Sequence, residues 1–419
     1  MGRLLIISTT TGYQTRSFCE AARRLSVELV FATDRCHRLE DPWRDGAIPV
    51  RFYDEEAFVE AIWEENSRLR FDGLLALGDR SAVLGALASQ VIGLPGHPLS
   101  ATRASGNKLE SRRRFAEAGL LYPNFREISL GNVADLEVGE DEFPCVLKPV
   151  ALSGSRGVIR VDSPKELLEA TERVCRLLAR PDILERRHRD DDKLVLESFI
   201  PGREYAVEGI LEHGKLHVLA VFDKPDPLDG PYFEESIYVT PSVAPGKTQQ
   251  DIVDAVCGAV RALGLYHGPV HAECRVNDQG VFVLEAASRP IGGLCARTLR
   301  FRSQGELISF EELLLRHALG HSVVGCCREH ASSAVMMIPI PRSGIYRRTE
   351  DVEMALAVPS VVDVVITAKA DQRLESLPEG SSYLGFIFAR AHKASQAVAA
   401  VREAHESLRI VVDPVVRMA

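Results

Sequence analysis

The chain has 419 residues, 46% of them hydrophobic and 26% charged, which allows several domains with buried cores and excludes a small disulfide scaffold. No apolar run approaches the ~20 residues that a membrane span needs, so a membrane protein is not expected. The 50 basic and 59 acidic residues leave a net charge of −9, which repels a phosphate backbone and argues against nucleic acid as a partner.

In chain order, Arg3 to Ser8 reads as a strand, then a Thr/Gly turn and a helix from about Gln14 to Leu25. Val27 to Ala32 and Gly73 to Leu77 repeat the strand pattern, and Glu55 to Arg70 and Ser81 to Val91 the helical one. Such alternation predicts a parallel sheet with helices on its faces. No G-x-G-x-x-G follows the first strand, so a dinucleotide site is not expected. A Pro/Gly linker at Gly93 to Pro98 precedes one basic helix from Ser100 to Gly119. Two strands between Phe143 and Val161 flank a Ser/Gly loop, followed by a helix near Lys165 to Leu178 and a strand from Lys193 to Phe199. The charged run Arg186 to Lys193 reads as a solvated loop. Further strands are predicted at Tyr205 to Ile210, Leu216 to Phe222 and Val270 to Ala287, and helices at Thr248 to Leu263 and Glu306 to Leu319. Beyond residue 330, three apolar strands, a helix from Lys393 to Ser407 and a last strand form an α+β tail.

The nine cysteines (Cys19, Cys36, Cys145, Cys175, Cys257, Cys274, Cys295, Cys326 and Cys327) form an odd set without C-x-x-C spacing, and no secretory signal is visible. The expectation is plain thiols in a reducing cytoplasm. Neither H-E-x-x-H nor a Cys/His cluster supports a zinc site.

Chemistry concentrates between Val270 and Arg289. Val270, Ala272, Cys274 and Val276 alternate with His271, Glu273 and Arg275, the period of a strand with one polar face. If Asp278-Gln279-Gly280 is a three-residue hairpin loop with Gly280 left-handed, Glu273 stands opposite Glu285. Facing carboxylates repel, and a hard divalent cation offsets that; the alternative is a solvent-exposed face. His271, Glu273, Glu285 and Arg289 share this face. A second element is Lys148 inside the apolar strand Cys145 to Val150, followed by Ser153-Gly-Ser-Arg-Gly157. An ammonium there calls for an anion, and a glycine loop presents backbone N–H groups, so the pair suits a polyphosphate; a plain hairpin is the alternative. Pro245-Gly-Lys-Thr248 lacks the first glycine of a Walker motif and is set aside. The third element is the strand Leu194 to Phe199 with its short linker and Glu204, suited to adenine and ribose. The segment Asp223 to Tyr238, with Lys224, Glu234 and Glu235, reads either as a substrate loop or as a solvated one.

In this order the motifs resemble the ATP-grasp superfamily over roughly residues 1 to 320. The resemblance implies an ATP-grasp fold, α/β and α+β, with an N-terminal parallel α/β pre-domain (1–97), a linker helix and lid subdomain (98–197), a large subdomain with the metal site (198–329) and a C-terminal α+β domain (330–419). It implies that Lys108 and Lys148 contact ATP phosphates, that Ser153, Gly154, Ser155 and Gly157 close over them, and that Glu197, Ser198, Phe199 and Ile200 frame adenine. Glu204 is implied to hold ribose, and Glu273 and Glu285 to bind magnesium, with manganese as the alternative ion. The superfamily's usual E-x-N-x-R reads Glu285-Ala286-Ala287-Ser288-Arg289 here, so the third metal donor is replaced by a methyl group. A similar E-x-A-x-R, with an H-x-E strand, is found in L-amino-acid ligases that join amino acids into dipeptides. That branch implies amino-acid or amine substrates, an acyl phosphate stabilised by Arg289 and His271 with Lys148 neutralising the triphosphate, and ADP and phosphate as products. A biotin-carboxylase-like or purine-pathway ligase and a non-catalytic ATP-binding regulator are the alternatives. A homodimer is one expected assembly.

Overall fold

Leu4 to Ile7 are wholly buried, as a central parallel strand covered on both faces must be. In the computed structural model this strand, Arg3–Ser8, lies between Glu28–Thr33 and Gly73–Leu77, and Ile48–Pro49 completes a parallel four-stranded sheet. The structure describes residues 2–9, 14–34, 47–131, 138–185, 188 and 190–415. Residues 10–13 of the Thr/Gly turn, Cys36, and Arg186, Arg187 and Arg189 of the charged run lie outside them.

The single helix expected from Ser100 to Gly119 is two, Leu99–Ser105 and Lys108–Glu117. Gly106 closes the first, and the Asn107 side chain accepts the Glu110 N–H at 3.0 Å, an N-cap that starts a new helix axis. That break sets Lys108 at the first turn of the second helix. Likewise the helix expected from Glu306 begins at Phe310, because Ser309 caps it and Glu306–Ser309 pairs as a strand.

An antiparallel four-stranded sheet follows, ordered Phe125–Ser129, Lys193–Ser198, Cys145–Pro149, Ile159–Val161, with the helix Pro164–Leu178 packed on it. The largest sheet has eight strands. Its order is Gly280–Ala287, Gly268–Asn277, Arg203–Glu212, Lys215–Asp223, Ile237–Thr240, Ser332–Ile338, Gly385–Ala391, Val361–Ile366. Hydrogen bonding thus runs unbroken from the Glu273 strand into the tail through the pairing of Ile237–Thr240 with Ser332–Ile338. The tail is joined to the sheet rather than hung from it, which lets residues near 380 reach the site below. Among the described residues no helix is long and apolar enough to cross a membrane.

Candidate functional site

The hairpin carrying the two glutamates has a two-residue loop, Asp278-Gln279, rather than the three residues expected. Asn277 pairs with Gly280, and Cys274 with Val283. That register alone would set Glu273 against Leu284. A bulge between Glu273 and Cys274 takes up the extra residue, and Glu273 faces Glu285 after all. Gly280 has φ +132°, and a β-carbon there would stand 2.8 Å from Leu121 Cδ1. The polar face of the hairpin turns to a cavity of about 330 Å³, not to open solvent.

Lys108, Lys148, Ser153, Gly154, Ser155, Glu197 to Ile200, Glu204, His271, Glu273, Glu285 and Arg289 all border this cavity. Gly157 does not. Its N–H donates to Pro378 O at 2.8 Å, and its φ of +74° with Pro149 Cγ 2.7 Å from a would-be β-carbon explains why glycine stands there.

The anion that Lys148 requires is supplied by the chain: Glu197 Oε2 lies 2.6 Å from Lys148 Nζ, on the neighbouring strand. Arg112, 1% exposed, pairs with Glu197 Oε1 at 2.9 Å. Burial would raise the Glu197 carboxyl, but Arg112 and Lys148 outweigh it and hold it down. Lys108 Nζ donates to Leu152 O at 2.6 Å; burial lowers its pKa while Glu285 opposes. The linker is tied down too, Ser198 N–H donating to Asn124 O at 2.8 Å and Phe199 N–H to Pro144 O at 3.0 Å. Glu204 gives both oxygens to cations, Lys224 at 2.7 Å and Arg275 Nε at 2.9 Å. Arg275 reaches Ile200 O at 2.8 Å and lies over the Phe199 ring, 5.1 Å from its centroid.

Across the cavity, His271 Nδ1 is 3.2 Å from Glu208 and Nε2 is 3.4 Å from Glu273. Burial works against the imidazolium, but the two carboxylates outweigh it and raise the pKa to about 9, so the ring is a cation at neutral pH. Arg289 binds Asp79 of the first sheet's domain and stands 3.7 Å from Glu285. Burial opposes its charge too, and Asp79 and Glu285 overcome that and push its pKa up.

The segment after Asp223 is not a solvated loop. Lys224 is buried among Glu204, Glu235 and Glu273, the last at 3.1 Å, and Tyr238 OH donates to Glu235 at 2.9 Å and Glu273 at 3.1 Å. Burial and the Glu273 charge raise Glu235 to about 7, against the pull of Lys224.

Sequence reasoning missed Asp79, Arg112, Glu208, Tyr383 and the structural part of Arg275. For Asp79 a signal existed: Gly78-Asp79 stands where an apolar parallel strand ends and a helix begins, the edge at which α/β sheets place ligands. The others carry no local mark.

Glu204, Glu235 and Glu273 offer oxygens within 4.8 Å of one another, but the Lys224 ammonium already lies among them, where an ion would have to sit. The facing Glu273 and Glu285 fit a hard divalent ion better, since magnesium takes one or two carboxylates and completes its shell with water and phosphate. Ala287, opposite His271, adds no donor.

Family models match along the chain: an ATP-grasp N-terminal domain at residues 19–96, an ATP-grasp domain at 141–298 and an L-amino acid ligase C-terminal domain at 336–413. The crystal structure of L-amino acid ligase from Bacillus licheniformis superposes with a TM-score of 0.80 at 28% identity, covering 99% of both chains. An uncharacterised protein of Sinorhizobium fredii is 25% identical over 99% of this chain and 84% of its own length. The D-alanine–D-alanine ligase of Geobacter sulfurreducens is 28% identical over 57% of this chain and 72% of its own. The chain belongs to the ATP-grasp superfamily and has its fold; it is a ligase of the class that forms C–N bonds. Within that class it resembles the L-amino acid ligases.

Proposed function

We propose that the chain is an ATP-dependent carboxylate–amine ligase that joins two amino acids, or an amino acid and an amine, through an acyl phosphate, releasing ADP and phosphate. The observation that carries this reading is the meeting, in one cavity, of two lysines and a glycine loop with a cationic His271, Arg289 and the facing Glu273 and Glu285. Names of similar proteins, an L-amino acid ligase and a D-alanine–D-alanine ligase, support the substrate class.

Lys148 and Lys108 each spend one N–H on the protein and keep the others for the phosphates. Ser153, Gly154 and Ser155 cover the phosphates, and Ser198, Phe199 and Ile200 border the base. Glu273 and Glu285 would hold magnesium, or manganese in its place, which would supply charge neutralisation at the triphosphate. The substrate carboxylate attacks the γ-phosphorus, the bond to the β-bridging oxygen breaks and ADP leaves. The amine then attacks the acyl carbon, the C–O bond breaks with its electron pair going to the phosphate, and the nitrogen gives up its proton to the departing phosphate, leaving the amide. Arg289 and the imidazolium of His271 face the oxygens on which charge builds up, where preorganised cations stabilise it most. The Glu208 and Glu273 carboxylates flank both ring nitrogens and favour the imidazolium, so His271 supplies positive charge beside the reacting carboxylate rather than a free N–H or a base.

The test mixes ATP, magnesium and pairs of common L-amino acids, assays ADP and phosphate, and seeks by mass spectrometry a product weighing the pair minus water. Release of AMP, or ADP release that depends on bicarbonate, overturns the reading.

A further inference from the structure

The glycine loop is held from outside its own subdomain. Residues 375–383, in the tail, make four contacts with the flap that carries it. Gly157 N–H donates to Pro378 O at 2.8 Å, and Arg156 Nε donates to Glu379 O at 2.8 Å. On the helix Pro164–Leu178, Arg173 grips both carboxylate oxygens of Glu379, Nη2 to Oε2 at 2.8 Å and Nε to Oε1. Arg180 Nη1 donates to Glu375 Oε2 at 2.7 Å. A further tie runs through Tyr232, whose OH accepts from Arg173 and whose backbone bridges to Ile159.

The same tail segment continues into the cavity. Ser381 and Tyr383 border it, and a β-carbon at Gly154 would stand 3.5 Å from Ser381 Cβ. Gly154 and Ser155 have φ of +66° and +55°, so the loop is kept in a conformation its own local sterics disfavour at Ser155. Contacts outside the loop help to select that conformation: Asp182 pairs with Arg156 at 2.7 Å, and the tail segment reaches the loop at Arg156, Gly157 and Gly154.

We infer that Arg173 and Glu379 are positioning residues: their bidentate pair clamps the tail onto the flap and so sets Ser153 to Ser155, together with Ser381 and Tyr383, over the cavity. The inference rests on the reading of that loop as the phosphate site. The pair acts through a population. If breaking it lets the flap open, apparent ATP affinity falls in proportion to the closed fraction. Neither side chain is fully buried, Arg173 being 38% and Glu379 32% exposed, so the effect is modest. For such a pair roughly a 1.4- to fivefold loss of affinity is expected.

The experiment measures Mg-ATP binding by calorimetry and hydrogen exchange of residues 152–158 in the parent, in Glu379→Gln, in Arg173→Gln and in the charge-exchanged double variant Arg173→Glu/Glu379→Arg. Each single variant should raise the ATP Kd by the factor above, raise KM for ATP more than it lowers kcat, and speed exchange in the loop; the double variant should recover most of each loss. A lower melting temperature with unchanged Kd and loop exchange overturns the clamp and leaves the phosphate-site reading intact. Failure of the parent to bind Mg-ATP overturns both.

Discussion

Replacing Lys224 by methionine removes one charge from the middle of three carboxylates while keeping a side chain of similar length. Nζ lies 2.7 Å from Glu204 and 3.1 Å from Glu273 and pairs with Glu235, and the residue is only 7% exposed. Deleting one partner of a buried ion pair costs about 3–5 kcal/mol, whereas the volume-conserving exchange costs less than about 1.5 kcal/mol in packing. The larger effect is electrostatic and therefore depends on pH. Glu235 already titrates at about 7 through burial and the Glu273 charge; without the ammonium the cluster takes up protons more readily still. Carboxyls whose folded pKa lies above the unfolded value of about 4.3 lose stability progressively as pH rises from that value to the raised one, and the loss is complete above it. Thermal or denaturant unfolding of Lys224→Met should therefore lie nearest the parent at pH 5 and fall furthest below it at pH 8. An equal loss at both pH values would assign the effect to packing, and no loss at pH 8 would refute the account of the cluster.

Glu285→Gln keeps the shape but removes half of the facing anionic pair; it should lose turnover and keep the parent's melting temperature, and near-normal phosphate release would refute the metal assignment. Arg289→Lys loses the planar fork that joins Asp79 and Glu285 and should lower turnover about ten- to a hundredfold, the equivalent of one or two charged hydrogen bonds; turnover within threefold would place Arg289 outside the chemistry. A second cavity of about 330 Å³ is bordered by His97, His213, His267 and His317. Burial lowers His97 and His317 to about 4, so stability should fall as pH drops from about 6.5 towards 4, because the unfolded chain takes up protons first. His271, raised to about 9, stabilises below about 6.5 and loses that contribution as pH rises through 9. Melting temperature against pH should show both limbs; His317→Gln should flatten the acid one and His271→Gln the alkaline one, and unaltered limbs would contradict these assignments.

What the sequence by itself determined is what repeats locally. The period-two alternation from Val270 to Val276 and the apolar run Arg3 to Ser8 specify strands, and the Pro/Gly and Ser/Gly breaks locate loops, because side-chain period and backbone freedom are properties of neighbouring residues. Caps are local too, with Asn107 and Ser309 both N-cap residues, yet the helical patterns that start at Ser100 and Glu306 run straight across both of them. The facing of Glu273 and Glu285 was reached through a loop one residue too long, compensated by a bulge that no residue announces. Tertiary structure alone decided which charges meet. Arg112 sits in a basic helix that reads as surface, and burial against Glu197 makes it part of the Lys148 site. Lys224 has two of its three carboxylates, Glu204 and Glu273, on other stretches of chain, and Asp79, Arg289, Glu379 and Arg173 lie some 200 residues from their partners. Ion pairs of that separation leave no periodic trace, since their energy depends on distance and desolvation in the folded chain rather than on spacing along it.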